Sequence, residues 1–185
     1  MASEKKHLKT ADFYNMTVNV LWSVICLFPV SIFCYTLMNR KWLYTFLGIS
    51  VLAYFLPKSF FRKIHVGKTR RFYQKAGIGF FKKFTQNGDI VNNLIKRKYP
   101  DYKVVTANKM SIKKLLAQSY MFEQFHFVVF LFFVFAMIYA LVILYFWWAV
   151  VILITNIIYN IYPILLQQYL RTRFTTMADR IKDRS

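Results

Sequence analysis

The chain of 185 residues is 57% hydrophobic and 20% aromatic with only five glycines, and its 26 Lys/Arg against seven Asp/Glu give a net charge of +19. No soluble domain combines that apolar content with that imbalance, which leaves an integral membrane protein with basic flanks. Because the charge lies beside apolar runs, it suits anionic lipid headgroups or a phosphorylated substrate rather than nucleic acid.

Residues 1–16 read as a short cytoplasmic leader. The apolar run behind them is too long for a signal-peptide core, and no small-residue cleavage site follows. A first span is expected over about 17–38, with Pro29 inside it to remove a helical hydrogen bond. Cys26 and Cys34 fall in this span and read as ordinary buried thiols. After the connection Asn39-Arg40-Lys41 comes a second span, about 42–56, ended by Pro57. The two form a first hairpin over 17–56.

Residues 57–122 form a basic interfacial loop. Its FFRKIHVGKTRRFYQKAGIGFFKKF alternates aromatic and basic pairs, as a segment lying in the headgroup plane does. Gly77 and Gly79 divide it into short helical pieces. A turn at Asn87-Gly88-Asp89 opens a helix of about three turns that Pro100 stops. Tyr102–Thr106 is expected to be extended, and helix resumes near Ser111 to run into the third span.

The run from Phe127 to Leu166 has no charged residue. As one straight helix it would measure about 60 Å, twice the hydrocarbon thickness of a bilayer, so it folds into two spans. The cluster Tyr145-Phe146-Trp147-Trp148 is the natural turn, since amphipathic rings prefer the membrane boundary. Spans over about 127–145 and 148–166 make a second hairpin within 123–170, with a tail at 171–185. The fold class is therefore a single all-α membrane domain of four transmembrane helices. By the positive-inside rule both termini and the basic loop are cytoplasmic in a multi-pass cell-membrane protein.

Two sets of residues carry chemistry. Glu123 and His126 are three apart, share a helical face at the cytoplasmic boundary, and can touch. A carboxylate that orients an imidazole lets the histidine take a proton from a hydroxyl. The bland alternative is a boundary pair in which the histidine snorkels. Asn156, Asn160, Gln167 and Arg171 form a polar stripe on the fourth span, facing the bundle either as a site or as interhelical glue. With a tight turn between Phe146 and Trp147, His126 lies level with Gln167, and Glu123 lies one residue from Arg171. Asn160 then sits about 10 Å deeper at the helical rise. His65 could join Glu123 and His126 only in a metal site whose ligand spacing is missing, so no metal is expected.

The ending NIYPILLQQYLRTR (160–173) resembles that of the glycosyl-4,4'-diaponeurosporenoate acyltransferases of staphyloxanthin-type pathways. Asn160, Gln167, Tyr169, Arg171 and Arg173 fall in register with it; Pro163 comes one place late, Gln168 stands for an arginine, and Leu170 and Thr172 for Asn and Pro. Glu123–His126 is similar to the family's Glu-x-x-His, and Phe72, Lys75 and Lys82 keep step with its aromatic-basic loop. The resemblance implies transfer of a fatty acyl group to a sugar hydroxyl of a glycosylated membrane lipid. His126 is then the expected base and Glu123 its partner, with Asn156, Asn160, Gln167 and Tyr169 around the substrate. Arg171, Arg173, Lys75, Lys82 and Lys83 are expected on the phosphates of an acyl-CoA co-substrate, with no bound cofactor. The alternative is a non-catalytic membrane scaffold or subunit that binds anionic lipid, a second copy or a partner protein.

Overall fold

A computed structural model describes residues 2–67, 69–85, 88–100 and 109–182, and these are helical without a strand. Helix α1 (Ala2–Thr36) is one element through Pro29, so the leader is continuous with the first span rather than separate from it. Helix α2 (Arg40–Leu52) starts at Asn39, whose side chain caps the Lys41 N–H. A 3-10 turn, Ala53–Phe55, completes it. Then come α3 (Lys58–Lys63), α4 (Arg70–Lys75), α5 (Ile78–Phe81) and α6 (Asp89–Lys98). Gly77 separates α4 from α5 with φ +78°, a left-handed conformation that glycine adopts without cost. The expected extended stretch Tyr102–Thr106 lies outside the described residues.

Helix α7 (Lys109–Val142) runs unbroken from the basic approach into the apolar region, as expected. The returning limb is α8 (Phe146–Asn156), a π-helical segment (Ile157–Ile161) and α9 (Tyr162–Lys182). Pro163 explains the π segment: it offers no N–H to the Tyr159 carbonyl four residues back, and its ring collides with that carbonyl.

Among the described residues, three helical stretches are long and apolar enough to cross a membrane: Thr10–Thr36, Ile112–Val142 and Phe146–Asp179. Helix α2 has 13 residues, about 20 Å of helix, and falls short of that length by itself. It nevertheless lies along α7. Tyr139 Oη accepts from the Asn39 N–H, Phe46 stacks on Phe135, and Gln124 donates to the Tyr54 carbonyl.

The main core sits between α1, α7 and α8, where Phe33, Phe133, Ala136, Ala140 and Ile152 are almost wholly buried. The alanines bring α7 and α8 close, as small residues do in membrane bundles. Cys26 and Cys34 are free and buried, as expected.

The hairpin turn falls earlier than expected. Helix α7 ends in a Schellman motif, with Tyr145 N–H bonded to Ala140 O at 2.8 Å and Leu144 N–H to Leu141 O at 3.0 Å. Leu144 occupies the left-handed position, φ 64°. The aromatic cluster therefore lies just after the turn, with Phe146 and Trp147 exposed as an interfacial belt.

Candidate active site

The half of the α7/α9 pair remote from the hairpin turn holds two polar groups of opposite character. Glu123 is wholly buried; Arg171 Nη1 stands 2.5 Å from its Oε2, off the hydrogen-bonding line. Gln168 Nε2 donates to Glu123 Oε1 at 2.8 Å. The Arg171 guanidinium also lies over the Tyr120 ring at 4.2 Å. From Gln168 the network reaches the loop: its Oε1 accepts from the Val66 N–H at 3.1 Å and from Tyr73 Oη at 3.3 Å. The single Tyr73 hydroxyl proton is shared between Gln168 Oε1 and the nearer Gly67 O at 2.9 Å, while the oxygen accepts from the Gly67 N–H at 3.2 Å and meets His65 Nδ1 at 3.4 Å. Burial pushes the Tyr73 phenol above its ordinary pKa, so it stays a neutral donor. A Cβ on Gly67 would fall 2.4 Å from the Phe72 ring and 2.8 Å from that of Tyr73, so the loop closes here only with glycine.

His126 belongs to the second group. Its Nδ1 is buried and unbonded, and so is Asn160 Oδ1. The Asn160 side chain and the Tyr159 backbone lie beside the imidazole, out of good hydrogen-bond alignment. The Tyr159 ring meets it edge-on at 5.6 Å. With the turn centred near Leu144, the returning limb comes level with α7 about five residues earlier than a turn at Phe146–Trp147 would allow, and the π segment turns Tyr159 and Asn160 against α7. Asn160 is therefore near the level of His126 and not about 10 Å deeper. Asn160 Nδ2 donates to Asn156 Oδ1 at 2.8 Å, and Asn156 Nδ2 to Phe130 O at 3.3 Å, so this part of the stripe also ties α8 to α7.

Two cavities meet at this point. One, of about 430 Å³, is lined by His126 and Gln167 together with Ser23, Trp22, Phe125 and Tyr159. Its rim residues Tyr54, Met121 and Phe125 are about half exposed, so it opens sideways between α1 and α7. Tyr159 Oη and Ser23 Oγ close its far wall at 2.9 Å. The other, of about 340 Å³, has an apolar body of Leu115, Phe122, Leu170 and Phe174 and carries Lys82 and Arg173. Gln167, Phe122, Leu166 and Thr85 line both.

The sequence-derived residues sort accordingly. His126 and Gln167 line one cavity, although the earlier turn puts Asn160 and not Gln167 at the level of His126, and Lys82 and Arg173 border the adjoining one. The expected Glu123–His126 contact is not made, since the carboxylate is taken by Arg171 and Gln168. Arg171 faces protein and not a ligand space. Tyr169 packs on Tyr73 at 6.0 Å, with Arg173 over its ring at 5.9 Å. Lys75 and Lys83 are exposed and line neither cavity. His65 meets Tyr73 and lies away from His126. Gln168, Tyr73 and Tyr120 were missed; Gln168 follows Gln167 directly, and nothing in the sequence marks which of the two faces Glu123.

Comparison with family models matches residues 57–180, well over half of the chain, to glycosyl-4,4'-diaponeurosporenoate acyltransferase. The chain belongs to that family. No curated protein and no solved structure matches it. Membership makes it a member of an acyltransferase family of carotenoid biosynthesis. The matched region contains Glu123, His126, Gln167, Lys82 and Arg173, while α1 and α2 lie outside it.

Proposed function

We propose that the protein is a four-pass membrane acyltransferase that moves a fatty acyl group from acyl-CoA to a hydroxyl of a glycosylated amphipathic lipid at the cytoplasmic leaflet. The observation that carries this reading is the pair of cavities meeting at Gln167, one with an imidazole and a lateral opening, the other with two cations. The pairing of α2 along α7 supports the fourth pass, and the Lys/Arg distribution supports cytoplasmic termini.

The donor enters the cationic cavity with its phosphates on Lys82 and Arg173 and its thioester at Gln167. The acceptor enters from the bilayer with its hydroxyl at the His126 imidazole. As the hydroxyl oxygen attacks the thioester carbonyl, the histidine takes its proton, which contributes about 10²–10⁴-fold. The Gln167 amide donates to the oxyanion, a contact worth about 10²–10³-fold in comparable sites. Collapse breaks the carbon–sulfur bond, and the CoA thiolate recovers the proton from the imidazolium. Asn160 Oδ1 steadies the second ring nitrogen, the duty that sequence reasoning assigns to Glu123. Glu123 acts one step removed, by holding α9 against α7.

The test supplies protein in lipid nanodiscs with radiolabelled palmitoyl-CoA and a lipid extract containing glycolipids. The reading expects label in an ester at a sugar hydroxyl. Label confined to the donor, with acyl-CoA bound, would overturn it. The bonding of Asn156 and Asn160 within the bundle favours one second reading, a non-catalytic scaffold; there Gln167→Leu disrupts a complex and no extract is acylated.

A further inference from the structure

The two asparagines of the polar stripe form a hydrogen-bonded chain that has a direction. It starts at the Phe130 carbonyl on α7, a group that can only accept. Asn156 therefore turns its Nδ2 toward that carbonyl, at 3.3 Å, and leaves its Oδ1 to accept. Asn160 Nδ2 donates to this Oδ1 at 2.8 Å. The first amide thus sets the orientation of the second, and Asn160 Oδ1 is the atom left over. That oxygen is buried without a partner, and the Asn160 side chain lies beside the His126 ring.

The Tyr159 carbonyl is the other polar group beside the ring. Pro163 has no N–H to give it, and the π segment turns it against α7. Both neighbours are acceptors. The ring nitrogen on the buried side, Nδ1, has no partner, while the ring as a whole is partly exposed and lines the cavity. A neutral imidazole carries one N–H and one lone pair, and the bond made by one nitrogen decides the state of the other.

We propose that Asn156 is a positioning residue: through Asn160 it keeps the His126 proton on Nδ1, so that Nε2 presents its lone pair to the cavity. The proposal rests on the reading of His126 as the acylation base, and it specifies which nitrogen is basic and what keeps it so. The hydroxyl proton passes to Nε2 as the new carbon–oxygen bond forms. It leaves with the CoA thiolate when the carbon–sulfur bond breaks, and Nδ1 keeps its own proton throughout. Catalytic hydrogen bonds often reach good alignment only with substrate in place, as the one from Nδ1 must. Because both acceptors are neutral, they set the tautomer without adding a charge to the membrane region. Removing the Asn156 amide lifts the constraint: Asn160 can rotate, offer Nδ2 to Nδ1 and drive the proton to Nε2.

The test is nitrogen NMR of the full-length protein in nanodiscs, isotope-labelled at its histidines, at mildly alkaline pH. The His126 signals are told from those of His7 and His65 by their loss in His126→Gln. The parent should show a neutral His126 with Nδ1 protonated and Nε2 bare. Asn156→Leu should move the proton to Nε2 and lower kcat about tenfold or more, with KM for both substrates unchanged. Asn160→Asp, which still offers an acceptor, should keep the parent tautomer. A parent spectrum with the proton on Nε2 would overturn the proposal, and so would a folded Asn156→Leu with the parent's tautomer and kcat. Should Asn156→Leu not fold, Asn156→Ala decides on the same outcomes. The tautomer is read without turnover. The expected spectrum with no acyl transfer would sink the enzymatic reading alone, and transfer with the proton on Nε2 would sink only this proposal.

Discussion

Glu123 and His126 are neighbours on one helix, yet the fold treats them oppositely. Glu123 has Arg171 and Gln168 on its two oxygens and no space beside it. His126 has an unbonded Nδ1, an unbonded amide oxygen near it, and a cavity in front. A buried charge is tolerated only when paired, and the Arg171–Glu123 ion pair, with Gln168 on the other carboxylate oxygen, ties α9 to α7. His126 instead lines a cavity with its ring partly exposed, where a ligand can meet it. Three residues thus separate a structural ion pair from a candidate reaction centre.

The largest effect that tests this contrast falls on the pair. Glu123→Ala leaves Arg171 uncompensated and should cost about 3–5 kcal/mol in unfolding measured in detergent micelles. Glu123→Leu combined with Arg171→Met should recover most of that loss. Unfolding of Glu123→Ala at the parent temperature would dissolve the distinction. Tyr73→Phe comes next: it orphans Gly67 O and one bond to Gln168, and should cost about 1–3 kcal/mol without changing turnover per folded molecule. On the other side of the contrast, Lys82→Glu with Arg173→Glu should raise KM for acyl-CoA about tenfold or more and leave KM for the acceptor unchanged. An equal rise for both substrates would place the donor elsewhere. The smallest effect lies at the far end of the hairpin, where Leu144→Gly should stabilise by about 1 kcal/mol, since glycine takes the left-handed position without strain.

Much of this architecture was legible from the residues. Apolar run length required the hairpin, and Pro100 and Gly77 marked real breaks. Two things were not. The π segment follows from the collision of Pro163 with the Tyr159 carbonyl, but whether a helix answers a proline with a kink or a π turn depends on its neighbours. Of the partners of Glu123, Arg171 was expected within one residue of its level, but Gln168 was hidden, because three-residue spacing permits contact with His126 and only the rotation of α9 decides which groups arrive first. Lys75 and Lys83 failed for a simpler reason: basic residues in a headgroup-plane loop are abundant, and composition does not say which of them face a cavity.

The central claim is that His126 is poised for chemistry and does not hold the fold. It is tested most directly by acyl-transfer turnover of His126→Ala in nanodiscs, normalised to folded protein. The account predicts a fall of about 10²–10⁴-fold with unfolding at the parent temperature. Turnover at the parent rate would contradict it.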